Sequence, residues 1–160
     1  MHIGATIRDK DVSRQNRRVR WWRVKETVNA FNLSTAVGVG VAAAGRARLS
    51  RGPRGLLLAT GYRLPQPAAA AFTVGNVVVT RHDVAWLAER PRLLAHEERH
   101  TWQYAACLGL PLLPLYVLAA GWSWVRGGDA GTHNVFERAA GLADGGYPTV
   151  SARQRRRRAA

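Results

Sequence analysis

PRLLAHEERHTWQYAACL, residues 91–108, is the stretch on which the reading of this chain turns. A proline at its head suits the first turn of a helix, where no amide hydrogen is required, and residues 92–108 follow as one helix. Inside it stands His96-Glu97-Glu98-Arg99-His100. Residues four apart share one face of a helix, so both imidazoles can bind one tetrahedral Zn²⁺. Glu97 borders that face and can reach a water activated by the metal, take its proton and pass it to a leaving amine. With five His and five Glu among 160 residues, this H-E-x-x-H pattern is expected by chance about 0.005 times. Glu98 points about 200° from His96 and is expected to face away without a role.

A catalytic zinc takes a third protein ligand and leaves one position open. Asp129, His133, Glu137 and Asp144 are the downstream candidates. Glu137 is preferred, because it falls on a predicted last helix, residues 135–144, that can pack antiparallel to the first. The competing reading is that Asn134-Val135-Phe136-Glu137 is a capping box, with Glu137 bonded to the backbone of Asn134. Asp144, seven residues on, is read either as an acceptor for a ligand histidine's free N–H or as an exposed helix end. Peptide cleavage also needs a stabiliser for the developing oxyanion, for which Tyr147, His133 and Arg138 are candidates. Tyr104, Cys107, Trp86 and Trp102 are read as packing residues. No serine nucleophile motif or phosphate-binding glycine loop occurs.

Upstream, Ser34 or Thr35 is expected to cap a short helix that ends near Gly45. Residues 47–64 read as a hairpin turning near residues 51–55. FTVGNVVVT, residues 72–80, is the strongest strand, with Gly75-Asn76 as a bend or tight turn. Asp83 should cap a short helix over residues 84–89. Strands first and helices after give an α+β fold: a β-hairpin and an edge strand, then the helix carrying the histidines and a third-ligand helix. Residues 108–125 carry no charge, and Trp122 and Trp124 resemble an interfacial belt. A true membrane span there would separate His96 from Glu137 by a ~30 Å layer, which zinc bonds of ~2 Å forbid. A buried or membrane-dipping helix is therefore predicted.

The net charge of +14 is unevenly spread. Residues 1–30 carry eight basic residues against three acids, and residues 150–160 carry five Arg and no acid. The chain thus divides into a basic N-terminal arm over 1–30, a domain over 31–149 and an Arg-rich disordered tail over 150–160. The ends suit an anionic membrane surface; nucleic acid is not favoured as the main partner, since the domain holds no recognised motif for it. No convincing signal peptide is present. After Arg17-Arg18 the chain should become apolar, and Lys25 and Glu26 interrupt it, so a cytoplasmic or peripheral membrane location is favoured over secretion. The single Cys107 allows no internal disulfide.

LLAHEERHTWQYA followed by NVFERAAGLADGGY resembles the small gluzincin-type metallopeptidase-like proteins of bacteria, uncharacterised actinobacterial ones among them. The resemblance covers roughly residues 70–147. It implies a zincin-like domain with His96, His100 and Glu137 as zinc ligands and Glu97 as general base, acting on a peptide or protein substrate. A strand before the helix often lines the cleft in such proteins, the place taken here by residues 72–80. The other reading is a non-catalytic zinc protein attached to membrane or nucleic acid by its basic ends. Removal of residues 150–160, or separately of 1–20, is expected to leave thermal unfolding unchanged while weakening retention on heparin. A collapse of thermal stability on either truncation would make that end structural.

Overall fold

The computed structural model describes residues 21–65, 67 and 69–147; most of the expected arm and the whole expected Arg-rich tail lie outside these. Two helices open it, α1 (Trp21–Phe31) and α2 (Ser34–Ala44), set 74° apart. Four strands come next, β1 (Arg48–Arg51), β2 (Leu57–Thr60), β3 (Ala71–Val74) and β4 (Val77–Thr80). Then come α3 (Val84–Ala88), α4 (Pro91–Ala106), α5 (Leu112–Gly127) and α6 (Val135–Ala140). The architecture is α+β, as the order of elements implied.

The strands form one sheet in the order β1-β2-β4-β3. Two antiparallel hairpins, β1–β2 and β3–β4, join through a parallel pairing of β2 with β4. The expected strand over 72–80 is thus a hairpin, of which β3 is an edge strand, and Gly75-Asn76 is its turn. Gly75 has φ +60°, and a Cβ there would lie 2.4 Å from the backbone of Ser34. Alternation along β4 explains its three valines. Val77 and Val79 pack with Ala42, Ala59 and Tyr62 beneath α2, whereas Val78 packs with Leu56, Leu58 and Leu87 beneath α3 and α4. Both faces of the sheet are covered at β4, so its valines are buried on either side and only Thr80 at its end is polar.

Local signals placed α4 and α3 well. Pro91 opens α4, and the Asp83 carboxylate accepts the Trp86 amide at 2.8 Å. Elsewhere tertiary contacts changed the outcome. Ser34 does not cap α2; its hydroxyl donates to Asn29 O and Asn32 Oδ1 instead. The last helix stops at Ala140, where Gly141 turns the chain at φ 90°, so it does not reach Asp144. The α5 helix is not buried: only Leu112, Ser123 and Gly127 are. Among the described residues no single helix is long and apolar enough to cross a membrane.

The boundary at residue 30 also moves. Lys25 and Asn29 of α1 are fully buried, so the domain includes at least residues 21–30. Lys25 Nζ lies 3.2 Å from Glu98 Oε1 and donates to Thr101 Oγ1, while Asn29 Nδ2 donates to Asn76 Oδ1 and to Thr101 O. This helix is held by polar contacts, which is why its sequence shows no apolar stripe. Glu98, expected to have no role, is the counter-charge of a buried lysine and also accepts from Arg54 Nε at 2.6 Å. Burial pulls the Lys25 pKa down, and Glu98 opposes that shift.

Breaking a buried ion pair from one side strands the other charge. Glu98→Gln is therefore expected to cost about 2–3 kcal/mol in urea unfolding. Adding Lys25→Met should restore more than half of the loss, since no buried charge then remains unpaired. A loss below about 0.5 kcal/mol in the single variant would show that the pair carries no weight.

Candidate metal centre

On α4, His96 and His100 stand one turn apart and project the same way, both buried. Their Nε2 atoms are 3.1 Å from each other. Glu137, buried on α6, completes the group: its Oε2 lies 3.1 Å from His96 Nε2 and its Oε1 lies 3.6 Å from His100 Nε2. Zinc bonds of ~2.0–2.1 Å at tetrahedral angles would separate their donor atoms by about 3.3 Å. The three spacings bracket that value. Among the described residues this is the one group of His, Cys, Asp or Glu close enough to share an ion.

Hydrogen bonding identifies which atoms are free. His96 Nδ1 lies 3.1 Å from both Ala140 O and Gly141 O. A carbonyl only accepts, so Nδ1 carries the hydrogen and Nε2 presents a lone pair. His100 Nδ1 is 2.8 Å from Gln103 Oε1, and Gln103 Nε2 donates to Phe136 O at 2.9 Å. That second bond turns the amide oxygen toward His100, so its Nε2 is also a lone pair. Tyr116 donates its hydroxyl to Glu137 Oε1. Glu137 Oε2 is buried and accepts no hydrogen bond from the described residues. His96 Nε2 lies 3.1 Å from it, and in the neutral ring that nitrogen has no hydrogen to give. One ligand atom from each of the three residues lies within 4.8 Å of the other two, an arrangement that a cation satisfies.

Without a cation the same arrangement calls for a proton. Burial pulls both imidazoles down, yet the hydrogen bond and charge of Glu137 outweigh it, and His96 and His100 end above the ordinary histidine value. Burial raises Glu137, but His100 and His96 outweigh that and hold its carboxyl well below the usual range.

Glu97 is buried beside this group. Thr73 of β3 donates to its Oε2 at 2.7 Å, which ties the edge strand to α4 at this position. Burial pushes the Glu97 pKa up, with His100, Thr73 and His96 opposing. Glu97 and all three candidate ligands line a cavity of about 720 Å³, whose other walls include Phe72, Leu112, Tyr116 and Tyr147. Gly145 closes against His96, where a Cβ would lie 2.4 Å from Cε1. The site thus has an apolar chamber on one side and a backbone wall on the other.

The remaining candidates go elsewhere. Glu137 is not half of a capping box: Asn134 caps α6 by accepting the Phe136 amide, and its own N–H donates to Gly131 O. Asp144 does not hold a histidine; it pairs with Arg99 at 2.9 Å, and backbone carbonyls take the place expected for it. Asp129 accepts the amides of Gly131 and Thr132 in its own loop. The backbone N–H of His133 donates to Ser123 Oγ. Of the three oxyanion candidates, Tyr147 lines the cavity, and His133 and Arg138 do not. Tyr104 packs with Val74 and Leu112 as expected, and Cys107 packs against them. Gln103, Tyr116 and Thr73 were not singled out from the sequence. Gln103, three residues after His100, carried a usable signal, a polar side chain continuing the ligand face. Tyr116 and Thr73 carried none.

No known protein family, curated protein or solved structure matches the chain.

The purified protein is expected to bind about one zinc per chain, and His96→Ala or His100→Ala should abolish this while leaving the protein folded. Gln103→Ala should weaken binding by about 10–100-fold. Because the raised histidines must lose a proton to become ligands, affinity should rise with pH through and above the ordinary histidine value, with proton uptake by the buffer seen in titration calorimetry. Folded protein that stays metal-free under zinc supplementation would remove the centre.

Proposed function

We propose that this protein is a zinc-dependent hydrolase, a metallopeptidase with a zincin-like domain, in which His96, His100 and Glu137 hold the metal and Glu97 is the general base. The observation that carries the reading is the convergence of three lone pairs beside a buried carboxylate, on the floor of a cavity large enough for a substrate side chain. Zinc would supply Lewis acidity, polarising a carbonyl and bringing the pKa of a water toward neutrality.

The protein's own groups then have defined tasks. Thr73 holds Glu97 Oε2 and leaves Oε1 to accept a proton. Burial favours the protonated acid, so a proton taken by Glu97 can be kept until a leaving amine needs it. Tyr116 fixes the rotamer of Glu137 by holding Oε1, which leaves Oε2 as the ligand atom. The phenol of Tyr147, in the same cavity, is the group suited to donate to a developing oxyanion. Three ligands and an adjoining cavity favour catalysis over a purely structural metal, which is normally enclosed by four protein ligands.

Glu97→Gln tests this reading. With a fluorogenic casein as substrate, the wild type should turn over and stop on chelation. The variant should retain its zinc and lose about 10²–10⁴-fold of the rate, since an amide cannot take the proton. Most of the activity surviving in a zinc-replete Glu97→Gln protein would show that the base lies elsewhere.

A further inference from the structure

The α5 helix packs by a narrow strip, Leu112, Tyr116, Ser123 and Gly127, and leaves the rest of its circumference open. Leu115, Val117, Leu118, Trp122, Trp124 and Val125 are all exposed. At about 100° per residue, the exposed apolar side chains from Leu113 to Val125 sweep an arc of about 200°. A partner helix or sheet covers a stripe of about 100°. An arc twice that wide suits a surrounding medium that is apolar in every direction, which is hydrocarbon.

The N-terminal end of α5 gives a second, independent observation. A helix start normally leaves four N–H groups that need a cap or water. Here Pro111 and Pro114 have none, and the amides of Leu112, Leu113 and Leu115 donate to Gly109 O, Leu110 O and Pro111 O. Among the described residues no side chain caps this end. The first turn of α5 has been cleared of unmet donors without any polar residue, the condition a helix end must meet to enter a bilayer. Beside it, a Cβ on Gly109 would lie 2.6 Å from the Asn32 side chain, so the α4–α5 and α1–α2 turns adjoin. Each turn holds a leucine in the left-handed region, Leu33 at φ 65° and Leu108 at φ 57°. Both leucines are thrust outward, 62% and 76% exposed, and Phe31 with them. Strained backbone that exposes apolar side chains is a cost to the free protein that burial in lipid would offset. At the other end of α5, the Arg126 guanidinium lies 5.4 Å from the Trp122 ring, an aromatic and basic pair of the kind that sits at headgroup level.

We propose that α5 and the two leucine turns at its N-terminal end form a docking surface for a lipid bilayer with anionic headgroups, entered from one side and not crossed. The net charge of +14 complements such headgroups. At 16 residues, about 24 Å, α5 is too short to span hydrocarbon and long enough to lie tilted in one leaflet. Leu113, which is exposed and also lines the metal-centre cavity, connects that cavity to the docking face. The proposal does not depend on the metal or on hydrolysis.

Full-length protein is mixed with vesicles of phosphatidylcholine containing a minority of phosphatidylglycerol, at low and at high salt. The protein should sediment with the vesicles in both. Brominated acyl chains should quench its tryptophan emission, and Trp122→Phe/Trp124→Phe should remove most of that quenching. Val117→Asp/Leu118→Asp, at two exposed positions, should unfold at the wild-type temperature and partition at least about tenfold more weakly. If that pair disturbs folding, Leu118→Asn alone must move partitioning in the same direction. Binding that vanishes at high salt, or that survives both aspartates, would overturn the proposal and assign adsorption to the basic ends. A dimer that Val117→Asp/Leu118→Asp dissolves, without vesicle binding by the wild type, would overturn it in favour of a second copy of the chain.

Discussion

Three buried acceptors facing one another, with no donor among them, are the constraint around which this protein is built. Two imidazole nitrogens 3.1 Å apart, approached at 3.1 and 3.6 Å by the two oxygens of one carboxylate, repel unless a cation or a shared proton lies between them. The surrounding structure pins that unfavourable grouping in place. The carbonyls of Ala140 and Gly141 hold His96, the Gln103 amide holds His100, and the Tyr116 phenol holds Glu137. Each partner comes from a different stretch of chain. The group therefore exists only when α4, α5 and α6 are docked together.

The α4 helix is the hub because nearly every side of it has a polar task. His96, Glu97 and His100 face the cavity, and Glu98 and Thr101 receive α1 through Lys25 and Asn29. Arg99 reaches the end of α6 and the segment after it by bonding Ala140 O and Asp144. Gln103 bonds Phe136 O of α6 itself. Such a helix is not stabilised mainly by an apolar stripe. Its apolar contacts come from Leu93 and Leu94 near its start and Tyr104 near its end. Between them the interactions are hydrogen bonds and ion pairs in low dielectric, where satisfied networks specify one arrangement and broken ones are costly.

Apolar surface is distributed in the opposite way from what the composition suggests. The most hydrophobic covered element is the short strand β4, while α5, uncharged until Arg126, is largely exposed. The two faces of the sheet supply the apolar contacts of α2 on one side and of α3 and the start of α4 on the other. The proposed hydrolase reading uses the inner strip of α5, where Tyr116 stands, and the proposed lipid surface uses its outer arc. The two faces of one helix can thus serve separate purposes without sharing a residue other than Leu113 at the rim.

The sequence by itself determined whatever depends on neighbours within a turn or two. The i, i+4 histidines, the Asp83 cap, Pro91 at the start of α4 and the β-branched run of β4 are local regularities, and each stands in the kind of element its pattern implied. It also brought Glu137 forward, because the short helix that carries it can pack antiparallel to α4 once the segment between them turns back. Tertiary structure decided what depends on contacts far along the chain. Glu98 looked idle until a lysine 73 positions away was buried against it, and Asp144 lost its expected histidine when α6 ended early at Gly141. Thr73 and Tyr116 were invisible for the same reason, since a hydroxyl gains a role only from the carboxylate that folding brings to it. Whether α5 was buried could not be read from its apolarity either. Hydropathy records what a helix can be placed against, and only the packed structure shows which side has been covered.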